Sequence, residues 1–324
     1  MAKVRKEIII RHSSRMANRM LQYLVAMELQ RKFPDYLVCR FDIPEWGLKG
    51  PEAMNRRHLV PKIDVQRYDT VFIEEAMAAG HLDRIFIKSV CGNMAALPSR
   101  EFANSLFDAS HVAAYETGDD DIVIHVRLED ILEPGRHQHY GPLPLGFYEQ
   151  VIRDSGKRPV FVGQMGSDWY SDMLRAAFPD ALLLEGGSVL HDFETIRRAK
   201  HIIPAISTFS WMAAWLSEAT SIHYPLSGLF HPLQRPGIDM MPRKDPRYRF
   251  YLFPERLWMA TPEQQQELRA PFEARPLGPE EVEALHAQSA ALWAPRLEAW
   301  RREFSEAMAR FNADRAARVA SAAE

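Results

Sequence analysis

An α/β protein built on parallel sheet, with a helical extension at its C-terminal side, is the fold class this sequence predicts. Two observations carry that expectation. Between Ile122 and Tyr224 short apolar runs alternate strictly with helix-like segments, the pattern of strands joined by crossover helices on both faces of a sheet. From Thr261 onward the composition shifts to Ala, Glu, Arg and Gln, which suits a helix and no strand. At 324 residues and 47% hydrophobic content the chain is long enough for two domains with real cores.

Taken in order, Ile8-Ile9-Ile10 reads as a short buried strand. A helix follows from Met16 to about Lys32, because Met16, Met20, Tyr23, Leu24, Met27 and Leu29 roughly keep helical spacing. Pro34 ends it, and Tyr36 to Phe41 is the next strand. Asp42 to about Arg67, with its Arg56-Arg57-His58 run, shows no clear period and reads as an irregular insertion. Thr70 to Ile73 and Arg84 to Val90 are strand candidates, with a helix over Glu74 to Ala79.

The second half is cleaner. Strands are expected at Ile122 to Leu128, Pro159 to Gly163, Ala181 to Leu184, His201 to Ala205 and Ser221 to Tyr224. Helices are expected at Phe147 to Arg153, Trp169 to Phe178, Asp192 to Ala199 and Phe209 to Glu218. Gly278-Pro279 starts a last helix, since proline fits the first helical position. Leu297, Trp300, Phe304, Met308 and Phe311 mark one face of it, which packs back on the body. Arg301, Arg302, Arg310, Arg315 and Arg318 also leave peripheral membrane contact open, although acidic residues interleave with them. The expected domains are 1–120, 121–260 and a tail at 261–324.

Composition excludes several functions. A formal charge of −3 gives no reason to bind nucleic acid. Two cysteines, Cys39 and Cys91, make neither a disulfide framework nor a zinc spacing. No run of about 18 apolar residues exists, so no spanning helix is expected, and a cytoplasmic protein is the default. Asp119-Asp120-Asp121 precedes its strand and lies at the wrong sheet edge for a site, so it reads as a solvated turn. His137 and His139 sit in a Gly- and Pro-containing loop without placeable carboxylate or cysteine partners. No metal site is expected.

The chemistry concentrates where strands end. Alternation puts His125 and Arg127 on one face of their strand. Arg127 is either a bidentate phosphate ligand or the partner of Glu129 or Asp130. Ser207 or Thr208 caps the helix that follows, and such a helix start, with Phe209 and Ser210, also suits an anion. Asp192 is a helix cap or an acceptor for the N–H edge of a purine. Gly163 allows close backbone approach at the same sheet edge. No Gly-x-Gly-x-x-Gly follows a strand, so an NAD-dependent oxidoreductase is disfavoured.

Three segments together resemble a known family. His125-Val126-Arg127-Leu128-Glu129-Asp130 is similar to the His-x-Arg-Arg-x-Asp motif of the alpha-1,2- and alpha-1,6-fucosyltransferase superfamily. Ser207-Thr208-Phe209-Ser210-Trp211-Met212-Ala213-Ala214-Trp215-Leu216 resembles the Ser-x-Phe-Ser-Trp-Trp-Ala-Ala-Trp-Leu segment of its bacterial alpha-1,2 group. Asn18-Arg19-Met20-Leu21-Gln22-Tyr23 is similar to that group's Gly-Asn-Gln-Met-Phe-Gln-Tyr. Order and spacing suggest a match from about Ile8 to Trp258.

The resemblance implies two Rossmann-like domains facing a cleft, the GT-B arrangement. The N-terminal domain would serve the acceptor and the C-terminal one the nucleotide sugar. It implies inverting, metal-independent transfer of L-fucose from GDP-fucose to a glycan hydroxyl, without a cofactor. It places Arg127 on the donor diphosphate with His125 beside it, Asp192 on guanine, and Ser207, Thr208 and Phe209 around phosphate and base. Three residues depart from the pattern: Leu128 in place of the second arginine, Ala17 in place of a glycine, and Met212 in place of a tryptophan. Arg15 or Arg19 is then a candidate second cation, and Glu129, Asp130 and His12 are candidate bases. Another nucleotide sugar, or nucleotide or sugar binding without catalysis, is the alternative. The acceptor carries no readable code, though residues 42–67 and 133–145 are expected to shape its pocket.

Overall fold

Parallel strands dominate both large sheets of the structure. The computed structural model describes residues 6–11, 15–54, 62–63, 70–80, 82–88, 91–184 and 186–321. They fall into two units: Met1–Ser99 with Ala290–Glu324, and Arg100–Ser289.

The first unit contains β1 (Lys6–Ile10), α1 (Met16–Lys32), β2 (Tyr36–Cys39), a small hairpin of β3 (Asp42–Ile43) and β4 (Leu48–Lys49), β5 (Lys62–Ile63), α2 (Thr70–Ala78) and β6 (Arg84–Ile87). Its sheet runs β2-β1-β6-β5, and every pairing is parallel. Ile8, Ile9 and Ile10 are buried in that sheet, and α1 buries most of its circumference, including Met20, Leu21, Leu24 and Val25. The stretch expected to be irregular holds the hairpin and an edge strand. Arg56, Arg57 and His58 lie outside the described residues, as does His12.

One strand expectation fails in this unit. Thr70 to Ile73 is not a strand but the first turn of α2. Its β-branched and aromatic residues favour extended chain locally. Ile73 and Met77, one helical turn apart, are both buried, and that packing decides the outcome.

β1 also carries an ion pair. Glu7 faces Arg84 across the sheet register, with Oε2 2.9 Å from Nε in an orientation too oblique for a hydrogen bond. The other carboxylate oxygen accepts the Met54 N–H at 2.9 Å, and Arg84 Nη2 donates to the Met54 carbonyl at 2.8 Å. Glu7 is fully buried and Arg84 nearly so.

The second unit contains α3 (Arg100–Ser105), β7 (Asp121–Val126), α4 (Leu145–Ser155), β8 (Arg158–Gly163), α5 (Trp169–Ala177), β9 (Leu182–Leu184), α6 (Val189–Arg198), β10 (His201–Ile203), α7 (Thr208–Leu216), β11 (Ser221–Leu226), β12 (Tyr248–Leu252) and α8 (Pro262–Glu267). Its sheet order is β12-β11-β10-β7-β8-β9, parallel throughout. The alternation expected over residues 122–224 is present element by element. Sequence reasoning passed over α3, α8 and the edge strand β12.

The structure divides the chain near residue 100, not 120. Residues 100–120 are tied to the second unit by Arg100 to the Ser217 carbonyl, Asn104 to the Leu216 carbonyl, and the Tyr115 N–H to Thr195 Oγ1. The segment from 261 is likewise split. The last helix, α9 (Pro279–Ser321), begins at the expected proline. Its first residues belong to the second unit and the rest to the first. Trp300, Phe304 and Met308 are buried, and the rings of Trp300 and Phe304 meet Phe72 edge-on at 6.1 and 5.3 Å. Among the described residues no helix is long and apolar enough to cross a membrane.

Glu7→Gln leaves Arg84 as an uncompensated buried charge and is expected to destabilise the first unit by about 3–5 kcal/mol. Urea unfolding checks this, and Glu7→Leu combined with Arg84→Met is expected to recover part of the loss, since it leaves no lone charge.

Candidate functional site

In the second sheet the strand order reverses beside β7. The chain runs outward from β7 through β8 to β9, then crosses back to place β10 on the other flank. A crevice opens beyond the carboxyl ends of strands at such a point, and ligands of open α/β sheets bind there. The residues leaving β7, β8 and β10, and those entering α6, all lie at this edge.

β7 delivers His125 and Arg127. The strand ends at Val126, two residues earlier than expected, and a short turn over Glu129–Ile131 follows. Gln164 fixes this end: its N–H donates to the Val126 carbonyl, and its Oε1 accepts from Leu128 N–H, both at 2.9 Å. Trp258 Nε1 holds the turn through the Ile131 carbonyl at 2.7 Å. Leu128 is buried, and Glu129 is exposed with a left-handed φ of +51°.

Arg127 is mostly buried and already engaged. Nη2 lies 3.3 and 3.2 Å from the two Asp130 oxygens, and the guanidinium carbon sits 4.6 Å from the centre of the Tyr140 ring. The buried Nε has no hydrogen-bond partner. His137 Nε2 reaches the same carboxylate at 3.1 Å. The acidic-partner reading of Arg127 is therefore the geometry seen here. The contacts are long for a charge-assisted bond, so an anionic ligand could compete for the guanidinium. A small pocket unites this arginine with Leu143, Tyr148, Tyr170, Ala205 and Ile206.

His125 is buried against the Phe209 ring, centroids 5.2 Å apart. Burial, reinforced by the Arg127 charge, pushes its pKa down to about 3. At neutral pH it is an uncharged imidazole whose buried Nδ1 has no hydrogen-bond partner. Gly163 makes its packing possible. With φ at +115°, a Cβ there would meet the Val126 carbonyl at 2.5 Å and the His125 ring at 3.0 Å.

The β10–α7 connection supplies the helix start. Ser207 is the N-cap, its Oγ accepting from Phe209 N–H at 3.3 Å, and Ser207, Thr208 and Ser210 are buried. Ser210 bonds back to the Ala205 and Ser207 carbonyls. The helix also anchors the unit: Trp211 Nε1 donates to the Met240 carbonyl at 2.8 Å, and Trp211 stacks on Trp215.

Asp192 is not a cap. α6 begins at Val189 and is capped by Ser188, whose Oγ accepts from His191 N–H at 3.1 Å. Asp192 lies in the first turn, with a buried Oδ1 that no hydrogen bond satisfies. Its pKa is raised by burial, partly offset by His191 at 3.9 Å. A Cβ on Gly187 would stand 2.3 Å from that oxygen, so a larger residue there would displace the Asp192 side chain. Gly187, Ser188, Gln164, Tyr140 and Tyr170 were not singled out as site residues; the Gly186-Gly187-Ser188 run was the readable sign of a turn and cap.

Asn18 and Arg19 lie in the first unit, in the first turn of α1. Asn18 N–H donates to the Arg15 carbonyl at 3.1 Å. Arg19 pairs with Glu45 at 2.5 Å and donates to the Asp42 carbonyl at 3.3 Å. Asp121 of the acidic run is structural: it accepts from Gly118 N–H and pairs with Arg158, both at 2.8 Å. Among the described residues no three His, Cys, Asp or Glu side chains group as a metal site.

No protein family matches this sequence and no curated protein does, so the whole-length family match suggested by the motif order is not found. Solved structures give distant likenesses. A mutant of FUT1 from Arabidopsis thaliana in complex with GDP aligns at TM-score 0.43 and 11% identity, covering 80% of this chain and 73% of that one. The ADP-heptose LPS heptosyltransferase II of E. coli aligns at 0.36 and 16%, covering 87% and 99%. The E. coli heptosyltransferase WaaC with ADP aligns at 0.35 and 13%, covering 82% and 100%.

Two outcomes follow from this geometry. His125 is neutral in the fold down to about pH 3, while an unfolded histidine takes up its proton near 6.5. Its contribution is fully present above pH 6.5 and is lost as pH falls toward 3, by about 1.4 kcal/mol per pH unit. Denaturant titrations across that window should show the difference between wild type and His125→Leu changing with this slope, and a constant difference defeats the assignment. Gly163→Ala is expected to cost roughly 1–3 kcal/mol through its strained φ and its clash with the Val126 carbonyl, read as a lower thermal midpoint.

Proposed function

We propose that this chain is a glycosyltransferase of the GT-B type that transfers a sugar from a nucleotide diphosphate donor to a glycan hydroxyl. The donor proposed is GDP-fucose, and the transfer is inverting and metal-independent. The observation that carries the reading is that Arg127 and the residues leading into α7, Ala205 and Ile206, line one small pocket at the strand-order reversal beside β7. A guanidinium and the N-terminal end of a helix flanking one crevice suit a diphosphate. The similarity of residues 125–130 and 207–216 to the fucosyltransferase motifs supports the same assignment.

The chemistry follows from charge. The bond between the anomeric carbon and the donor's β-phosphate oxygen breaks, and its electron pair stays on the departing diphosphate. The acceptor oxygen attacks the opposite face of the sugar and gives up its proton. Arg127 opposes the growing negative charge from a fixed position, as a preorganised donor does. Asp192, with its unsatisfied oxygen at the α6 start, accepts from the base. Ser207, Thr208 and Phe209 border the phosphates, while Ser210, fully buried and bonded back to the Ala205 and Ser207 carbonyls, and Gly163, packed against the His125 ring and the Val126 carbonyl, support them from behind. His125, uncharged and internal, shapes this floor rather than supplying charge. Asp130 already shares its oxygens with Arg127 and His137, so the exposed Glu129 is the freer proton acceptor of the two.

One observation favours a second reading. Leu128 occupies the second arginine's place and is buried, which removes a contact to diphosphate or fucose. A different nucleotide diphosphate sugar fits that loss.

Calorimetric titration of the purified chain with GDP, UDP, CMP and NAD, without added metal, separates the readings. Selective GDP binding supports GDP-fucose, UDP or CMP selectivity transfers the reading to another donor, and binding of none of them overturns it. Arg127→Ala is expected to lower donor turnover by about 10²–10³-fold while the protein stays folded; near-normal turnover removes Arg127 from this role.

A further inference from the structure

The first unit has its own reversal of strand order. β2 lies on one flank of β1, and the chain later returns to put β6 on the other. Arg11 follows the carboxyl end of β1 directly and Arg40 follows that of β2. Beside them opens a pocket of about 430 Å3, lined by Ile9, Arg11, Arg40, Glu52, Arg84 and Phe86 among others, a volume typical of small-ligand sites.

Three of those six side chains are guanidinium groups, and they are not equivalent. Arg84 is neutralised by the buried Glu7 and held by the Met54 carbonyl. Arg40 lies 3.6 Å from Glu52, whose side chain is 86% exposed; such a pair is weak and readily displaced. Arg11 has no carboxylate partner among the described residues. Its guanidinium carbon rests 4.8 Å from the centre of the Phe86 ring, which fixes the plane and leaves its N–H edges for a ligand. Arg40 also holds a left-handed φ of +59°, a strained conformation of the kind that recurs at ligand clamps.

We infer that this pocket binds an anionic oxyacid group, a carboxylate or a phosphate, carried by the acceptor glycan. The inference rests on the glycosyltransferase reading only in calling the ligand an acceptor. Arg11 supplies the uncompensated charge and Arg40 exchanges Glu52 for the ligand. Phe86 and Ile9 give an apolar wall for the sugar ring.

Calorimetry on the full chain tests it with D-glucuronate, glucose 6-phosphate and glucose as probes. The carboxylate and phosphate arms identify the anion. One or both anionic sugars should bind while glucose does not, and binding should weaken with added salt. Arg11→Gln, an exposed substitution, and Arg40→Gln should each weaken it by roughly tenfold or more, as loss of a charged hydrogen bond does. Equal binding of glucose, no binding of either anion at millimolar concentration, or unchanged affinity in both folded variants overturns the inference. GDP is titrated into the same wild-type sample. Its failure to bind counts against the nucleotide reading alone, while failure of the anionic sugars counts against this one alone.

Discussion

The position of β7 in the second sheet is the constraint on which the candidate site depends. With β8 on one side and β10 on the other, its end becomes the one place where loops from both halves of the sheet diverge. The flanking strands have little freedom. Gly163 must stay small because the Val126 carbonyl and the His125 ring occupy the space of its side chain. Gln164 then clasps both sides of the strand end with its backbone and its side chain. A rigid sheet edge presents the guanidinium of Arg127 instead of a mobile loop.

The electrostatics of that edge are those of a charge kept in reserve. Arg127 is held between a carboxylate and an aromatic face, so its position is set by the fold itself. The interaction with Asp130 is long for a charge-assisted bond, and His137 Nε2 shares the same carboxylate at 3.1 Å. His125, one strand position inward from Val126, avoids competing with this charge by staying neutral. Asp192 carries the complementary feature, an acceptor oxygen in a protected place without a donor.

Much of this was legible in the sequence, for identifiable reasons. The strands of the second unit are short apolar runs cut by turn residues, and that alternation survives tertiary context. The α9 face over Trp300, Phe304 and Met308 was readable because large apolar residues recur at helical spacing among charges. Thr70-Val71-Phe72-Ile73 misled because local β-propensity is weaker than a buried helical face. β12 went unread because Tyr248–Leu252 follows a long stretch without period. The partnership of Arg127 with Asp130 was one of two readings, and a one-dimensional pattern cannot choose between a salt bridge and a ligand contact. The Arg11 and Arg40 pocket was invisible because its residues come from separated segments joined only by strand pairing.

The chain's last long helix has a consequence for how the molecule is made. Phe72 in α2 finds Trp300 and Phe304 as ring partners, and these are synthesised only after the entire second unit. Contacts so distant in sequence carry a loop-closure penalty and form late. On the ribosome the first unit therefore waits, with part of its apolar surface uncovered, while the second unit has every strand it needs in one continuous stretch. The segment that begins first is the one that finishes last, which exposes it longest to chaperones and to aggregation.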